Sequence, residues 1–255
     1  MKLLIALRAE LLKTKRTASF YFALAGAALV PLIFLLNILT GGSDLVAIRN
    51  DSLNTIFAMG IERNGLVFFP MFVILVCTLL PQIEYRNNTW KQVLASPQTK
   101  GTLFLAKFLN INGLILLFLV ANLFFLFLVT LATHFIDPGL DLFNQPFDAA
   151  RLLVRTANIY ITMLAICAFQ FWLGLRFRNF IIPTAVGFGL WIAGMMMSFE
   201  FNSNLVAFFP YSFQTFPFVP RLQPKLTQVA WTSAGCATLF LLLGFLDFRR
   251  KRLTA

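Results

Sequence analysis

Long apolar runs, broken by short polar ones, dominate the chain. A helix needs about 20 mostly apolar residues to cross a bilayer. Six segments meet that description: about 18–40, 65–83, 104–133, 152–175, 180–199 and 228–247. The third is long enough to tilt or to project into water. Only Arg176, Phe177, Arg178 and Asn179 separate the fourth and fifth, which predicts a tight helical hairpin. Residues 41–62 open Gly41-Gly42-Ser43-Asp44 and read as a polar loop. So do residues 134–150, with Asp137, Pro138, Asp141 and Asp148. Residues 200–226 differ, because Phe208, Phe209, Tyr211, Phe213, Phe216 and Phe218 alternate with Pro210, Pro217 and Pro220. That density suits short helices or turns dipping into an interface, where aromatic rings are stable.

Residues 1–17 read as a separate helix. Leu3, Leu4, Leu7 and Leu11 share a face, Lys2, Lys13 and Arg16 lie away from it, and Ile5 and Leu12 blur the pattern. A basic amphipathic helix lies in the membrane interface; a simple basic leader that sets topology is the other reading. The long basic leader, the full-length first span and the absence of a clear cleavage pattern predict that the first span stays as an anchor.

The cationic residues set the orientation. With the N-terminus inside, the inner flanks hold Lys2, Arg8, Lys13, Lys15, Arg16, Arg86, Lys91, Lys100, Lys107, Arg176, Arg178, Arg249, Arg250, Lys251 and Arg252. Outside remain Arg49, Arg63, Arg151, Arg155, Arg221 and Lys225. The bias, fifteen against six, predicts both ends in the cytoplasm and an even number of spans.

Composition sharpens the class. Of 255 residues, 59% are hydrophobic and 12% charged, and 31 are Phe; the mean hydropathy is +0.79. Ordinary soluble domains carry about 25% charged residues. A soluble enzyme, a disordered tail and a disulfide scaffold are excluded, and a polytopic membrane protein remains. The net charge of +11 would suggest nucleic acid in a soluble protein. Here the cations lie between apolar runs and at the ends, so no nucleic-acid partner is expected. Cys77, Cys167 and Cys236 sit inside apolar runs without a CxxC pair and read as small buried hydrophobes. His134, the lone histidine, is expected at a span end and cannot build a His-rich metal centre.

Candidate chemistry is sparse. There is no GxxxxGK[ST] phosphate loop, GxSxG elbow or HExxH helix. The central portions of the spans lack ionisable residues, with Glu84, His134, Glu200 and Asp247 at or near edges. That argues against an intramembrane protease, a proton-coupled carrier or an acyltransferase, which keep such groups at depth. The informative stretch is Pro81–Gly101, between the second and third spans. Thr89 is placed to cap a short helix and Pro97 to end it. Trp90 and Leu94 share a face on that helix, with Val93 beside them. Such a rod lies along the cytoplasmic surface and fits a groove on a soluble partner, or it is a surface loop with its Trp in the headgroups.

These residues resemble the signature region of type-2 ABC exporter permeases. In that family an acidic residue near the end of the second span precedes a Gly/Thr-Trp or Gly/Thr-apolar step, a Leu, a Ser-Pro or Val-Ser pair and a Lys opening the third span. This chain has Glu84, Thr89-Trp90, Leu94, Ser96-Pro97 and Lys107. Arg8-Ala9-Glu10-Leu11-Leu12-Lys13-Thr14-Lys15-Arg16 is similar to the opening of bacitracin and lantibiotic-immunity permeases. The resemblance implies an all-α transmembrane domain over 1–255, with an elbow helix at 1–17, a coupling helix at 86–97 and short outer helices at 200–226. Coupling to an ATPase would fall to Glu84, Arg86, Thr89, Trp90, Lys91, Leu94, Pro97 and Lys107. Arg8, Glu10, Lys13, Lys15 and Arg16 would belong to the elbow. It also implies a non-catalytic subunit of the cytoplasmic (inner) membrane that binds no cofactor itself. Two ATPase subunits would carry ATP and Mg, and a second permease, identical or sister, would complete the core. The cargo class implied is an antimicrobial peptide, drug or other amphipathic molecule moved outward.

Ala185, Gly189 and Ala193 recur every four residues on one face of the fifth span, and Ala23 and Ala27 do so in the first. Small residues let helices approach closely in lipid, either across a dimer or within one bundle. Two other functions remain open: a non-transporting scaffold or assembly factor, and a membrane enzyme, for which no constellation of acid, base and nucleophile assembles.

Overall fold

A computed structural model describes residues 2–15, 17–40, 52–87, 89–90, 98–136, 146–200 and 204–250. Among them the chain is helical and has no strand. The helices are α1 (Lys2–Thr14), α2 (Ala18–Leu39), α3 (Ser52–Arg63), α4 (Phe69–Arg86), α5 (Lys100–Ile136), α6 (Ala149–Arg176), α7 (Ile181–Phe199) and α8 (Leu226–Arg250). A π-helical turn, Asn64–Phe68, joins α3 to α4 without a break. Three short 3₁₀ turns, Asn204–Phe208, Pro210–Thr215 and Gln223–Lys225, lie between α7 and α8. Six helical stretches among the described residues are long and apolar enough to cross a membrane.

The second span starts earlier than the hydropathy suggests. Residues 52–62, expected as part of a polar loop, are helical, and the span runs Leu53–Arg86. The cause is amphipathic. Leu53, Ile56, Phe57 and Ile61 fall at i, i+3, i+4 and i+8 and are all buried. Asn54 anchors the outward face, donating to Pro146 O at 2.9 Å and accepting from Asp148 N at 3.2 Å. Asp148 then caps α6 by accepting from Arg151 N at 2.9 Å.

Small residues set the helix spacing. Ala23 and Ala27 of α2 are fully buried, and Asn122 of α5 donates to Ala27 O at 2.9 Å. These two alanines therefore pack inside the bundle. At Gly174 of α6 a Cβ would lie 2.6 Å from the carbonyl oxygen of Cys77, so only glycine permits this approach of α6 to α4. Along α6 and α8, Ser233 donates to Ile161 O at 2.8 Å and Gly244 sits beneath Trp172. Aromatic stacking fills the space that remains, with Phe72 and Phe118 4.4 Å apart and Phe104 against Phe171 at 5.1 Å. The turn Pro210–Thr215 and the residues just after it are packed into the bundle, whereas Gln223–Lys225 is exposed. Phe213 and Phe216 are fully buried, and Tyr211 reaches Gln170 Oε1 at 3.2 Å.

Candidate functional site: a charged joint at the α1 end

The joint begins with how α1 lies. Its buried residues are Ala6, Glu10 and Thr14, one per turn, and this narrow small-polar face rests on α5. Leu4, Ile5, Leu11 and Leu12 are exposed. The leucine stripe thus points away from the protein, the arrangement expected of a helix whose other neighbour is lipid.

Glu10 consequently faces inward and meets Lys107 of α5. Lys107 Nζ donates to Glu10 Oε2 at 3.0 Å and to Glu84 Oε1, near the end of α4. Lys13 Nζ bridges the same two carboxylates, at 2.9 Å to Glu10 and 3.2 Å to Glu84. Two ammonium groups therefore cancel two carboxylates. The side chains of Lys107 and Glu84 are only 5% and 4% exposed. Burial pushes the Glu10 carboxyl up, but Lys107 and Lys13 together outweigh it and hold that carboxyl below its ordinary value. Burial pushes Lys13 down, and its hydrogen bond to Glu10 with the charges of Glu10 and Glu84 reverses that and raises it. Asn110 of α5 donates to Thr14 Oγ1 at 2.7 Å, and Thr14 donates to Glu10 O at 3.0 Å. Glu84 and Asn110 also line a cavity of about 20 Å³. Their Oε2 and Oδ1 atoms have no protein partner among the described residues. A space of that size holds one water.

Trp90 belongs to the same joint. After α4 the chain turns back, with Asn87 N bonded to Ile83 O at 3.1 Å and Thr89 N to Glu84 O at 3.0 Å. This folds Trp90 inward against Tyr85 at 5.2 Å and against Phe248 of α8 at 5.8 Å. Lys107 Nζ lies 5.5 Å from the Trp90 ring centroid, within cation–π range. Trp90 is 5% exposed. Tyr85 OH donates to Leu175 O at 2.6 Å and Gln82 to Phe177 O at 2.7 Å. These bonds fasten the end of α4 to the end of α6.

Of the residues singled out in the sequence, Glu10, Lys13, Glu84, Trp90 and Lys107 come together. Arg8, Lys15 and Arg86 are exposed and Thr89 is half-buried in the turn. Arg16, Lys91, Leu94 and Pro97 lie outside the described residues, as does most of 86–97. Ala185 and Gly189 are exposed and Ala193 half-buried, whereas α7 packs inward through Pro183, Gly187, Gly194 and Ser198. Thr14, Asn110, Tyr85 and Phe248 escaped the sequence reading. The recurrence of Ala6, Glu10 and Thr14 every four residues was the one available signal.

The fold and this joint define a multi-pass helical membrane protein in which an amphipathic helix is clamped to the start of the third span by buried charge. Residues 6–194 match the family model described as ABC-2 family transporter protein, and the chain belongs to that family. It is a membrane permease component of an ABC transporter. Such permeases normally work with an ATPase partner and are generally non-catalytic themselves. No curated protein matches the sequence.

Proposed function

We propose that the chain is the permease subunit of an ATP-driven exporter, and that the charged joint passes the movement of the ATPase into the spans. The observation that carries this reading is the position of Lys107. It is held by Glu10 of α1 and by Glu84 of α4, three residues before the turn that follows α4. A push on 86–97 reaches Trp90, then Lys107, and through it α1 and the third span together. Two ATPase subunits bind ATP and Mg, and 86–97 is the coupling segment that seats in each. A second permease, identical or sister, completes the pathway across the cytoplasmic membrane. The exposed Ala185 and Gly189 of α7 suit close packing against that second permease. The cargo is an amphipathic molecule, an antimicrobial peptide or drug, moved outward.

The test is purification in mild detergent after co-expression with a candidate ATP-binding subunit. The expected result is a one-to-one complex that is lost on L94D while the permease still inserts. Trp90 is unsuitable for this purpose, because Asp there would bury a charge inside the bundle. A wild-type chain that binds no ATP-binding subunit under any nucleotide condition would overturn the exporter and favour a non-transporting scaffold.

A further inference from the structure

The second span carries another polar feature, well inside the bundle and away from α1. There α3 passes into α4 through the π-helical turn Asn64–Phe68. Such a turn inserts one extra residue into a helix and is found frequently at functional sites. Here it turns Asn64 into the bundle. Asn64 is 2% exposed, and its Oδ1 has no hydrogen-bond partner among the described residues. A buried amide oxygen without a donor carries the full desolvation penalty of that group. Asn122 on α5 shows the usual resolution, since its amide donates to Ala27 O at 2.9 Å and joins two spans. Asn64 joins nothing.

Asn64, Asn122 and Thr156 line one cavity, with Phe69, Leu119 and Ile159 among its apolar walls. The cavity is about 10 Å³, enough for one water at most. Gly65, also in the lining, is the point at which Phe218 packs against the π turn. A Cβ there would lie 2.3 Å from Phe218 Cζ, so the absence of a side chain lets that ring settle on the π turn. Phe218 comes from the segment between α7 and α8. Arg155 lies 5.3 Å from its ring centroid and reaches Glu62 Oε2 at 3.4 Å. One aromatic side chain on a non-helical segment, under an arginine that also pairs with Glu62, thus packs beside a cavity with three polar residues in its lining, of which Asn64 carries a buried acceptor with no partner among the described residues.

We propose that Asn64 Oδ1 accepts a hydrogen bond from a donor group, an amide N–H or hydroxyl, of an amphipathic molecule passing through the permease. The proposal rests on the permease reading above. In the closed form the same donor chemistry comes from a single water. Displacement of Phe218 from Gly65 enlarges the cavity to admit the larger donor. A wall of apolar and neutral polar side chains, with no charged residue in the lining, selects a lipophilic amide or alcohol over a salt, because a charged group there has no counter-charge.

The experiment uses the permease–ATPase complex in lipid nanodiscs. The probes are N-dodecylacetamide, which has an N–H, and N-methyl-N-dodecylacetamide, which does not. The wild-type complex should show ATP hydrolysis stimulated by the secondary amide at about tenfold lower concentration than by the tertiary one, the ratio expected of one hydrogen bond. N64L should abolish that difference while unfolding at a temperature no lower than wild type, because it exchanges an unpaired amide for an apolar group. N64T, which keeps a small acceptor, should restore part of the difference. If the two amides act alike on wild type, or neither acts, the proposal is overturned. If N64L unfolds several degrees below wild type and the amides act alike, Asn64 holds a structural water only. Failure of the ATPase to co-purify would refute the permease reading itself, which sets that outcome apart.

Discussion

The second span buries a polar group at its α1 end and another deeper inside the bundle, and the two are treated differently. At the α1 end Glu84 is charged, and the fold brings it Lys107 and Lys13. Deeper in the span Asn64 is neutral, and no donor among the described residues reaches its Oδ1. A buried charge without a partner is so costly that the structure must fix one at a set distance. A buried amide oxygen costs less, about 1–3 kcal/mol when left without a donor, and a single water can supply that donor. The charged end is therefore a joint, whose geometry cannot be altered without separating ions. The neutral site remains chemically available to a donor that comes and goes.

The largest effect should come from breaking the joint. K107M leaves Glu10 and Glu84 buried with only Lys13 to balance them, and removing one partner of a buried ion pair costs about 3–5 kcal/mol. Thermal unfolding in detergent should show this. Adding E84Q to K107M should recover much of it, since both partners are then neutral. N64L, deeper in the span, should show no such loss, and a comparable loss there would erase the distinction between the two sites. Next comes the packing that holds the joint in place. G174A pushes a methyl against the Cys77 carbonyl, and overpacking of this kind costs about 1–3 kcal/mol.

Acid sharpens the contrast further. Glu10 has its folded value depressed, so its contribution is complete above the ordinary value of 4.5. That contribution is lost as pH falls through the lower folded value. Lys13 has its folded value raised, so its contribution is complete below 10.5 and lost only as pH rises past that higher value. Unfolding followed against pH should therefore show an acid limb below 4.5. E10Q should flatten that limb and N64L should leave it unchanged. The smallest effect belongs to W90F, which keeps an aromatic ring over Lys107 and weakens the contact by about 1 kcal/mol.

The sequence made the spans legible because lipid demands uninterrupted apolar length, a requirement that local composition records directly. It concealed the start of α3, where Asn54, Thr55 and Glu62 dilute the hydropathy although Leu53, Ile56, Phe57 and Ile61 keep the helical period. The chemistry of the joint was legible residue by residue and illegible as a cluster. Glu10 and Lys107 are 97 positions apart, and Lys107 carries the same topological signal as any basic flank. On a straight helix Trp90 shares a face with Leu94. The fold turns it inward because its aromatic partner, Phe248, arrives from the last span. Asn64 left no mark at all, since one asparagine in an apolar run does not announce a π turn or the absence of a donor.

The most direct test of the joint is ATP hydrolysis by the purified permease–ATPase complex in lipid nanodiscs, wild type against K107M, with the detached ATPase subunit as reference. The account predicts that K107M still assembles the complex but hydrolyses ATP at the rate of the detached subunit, because the turn no longer moves α1 and the third span. A K107M complex whose hydrolysis is indistinguishable from wild type would contradict it.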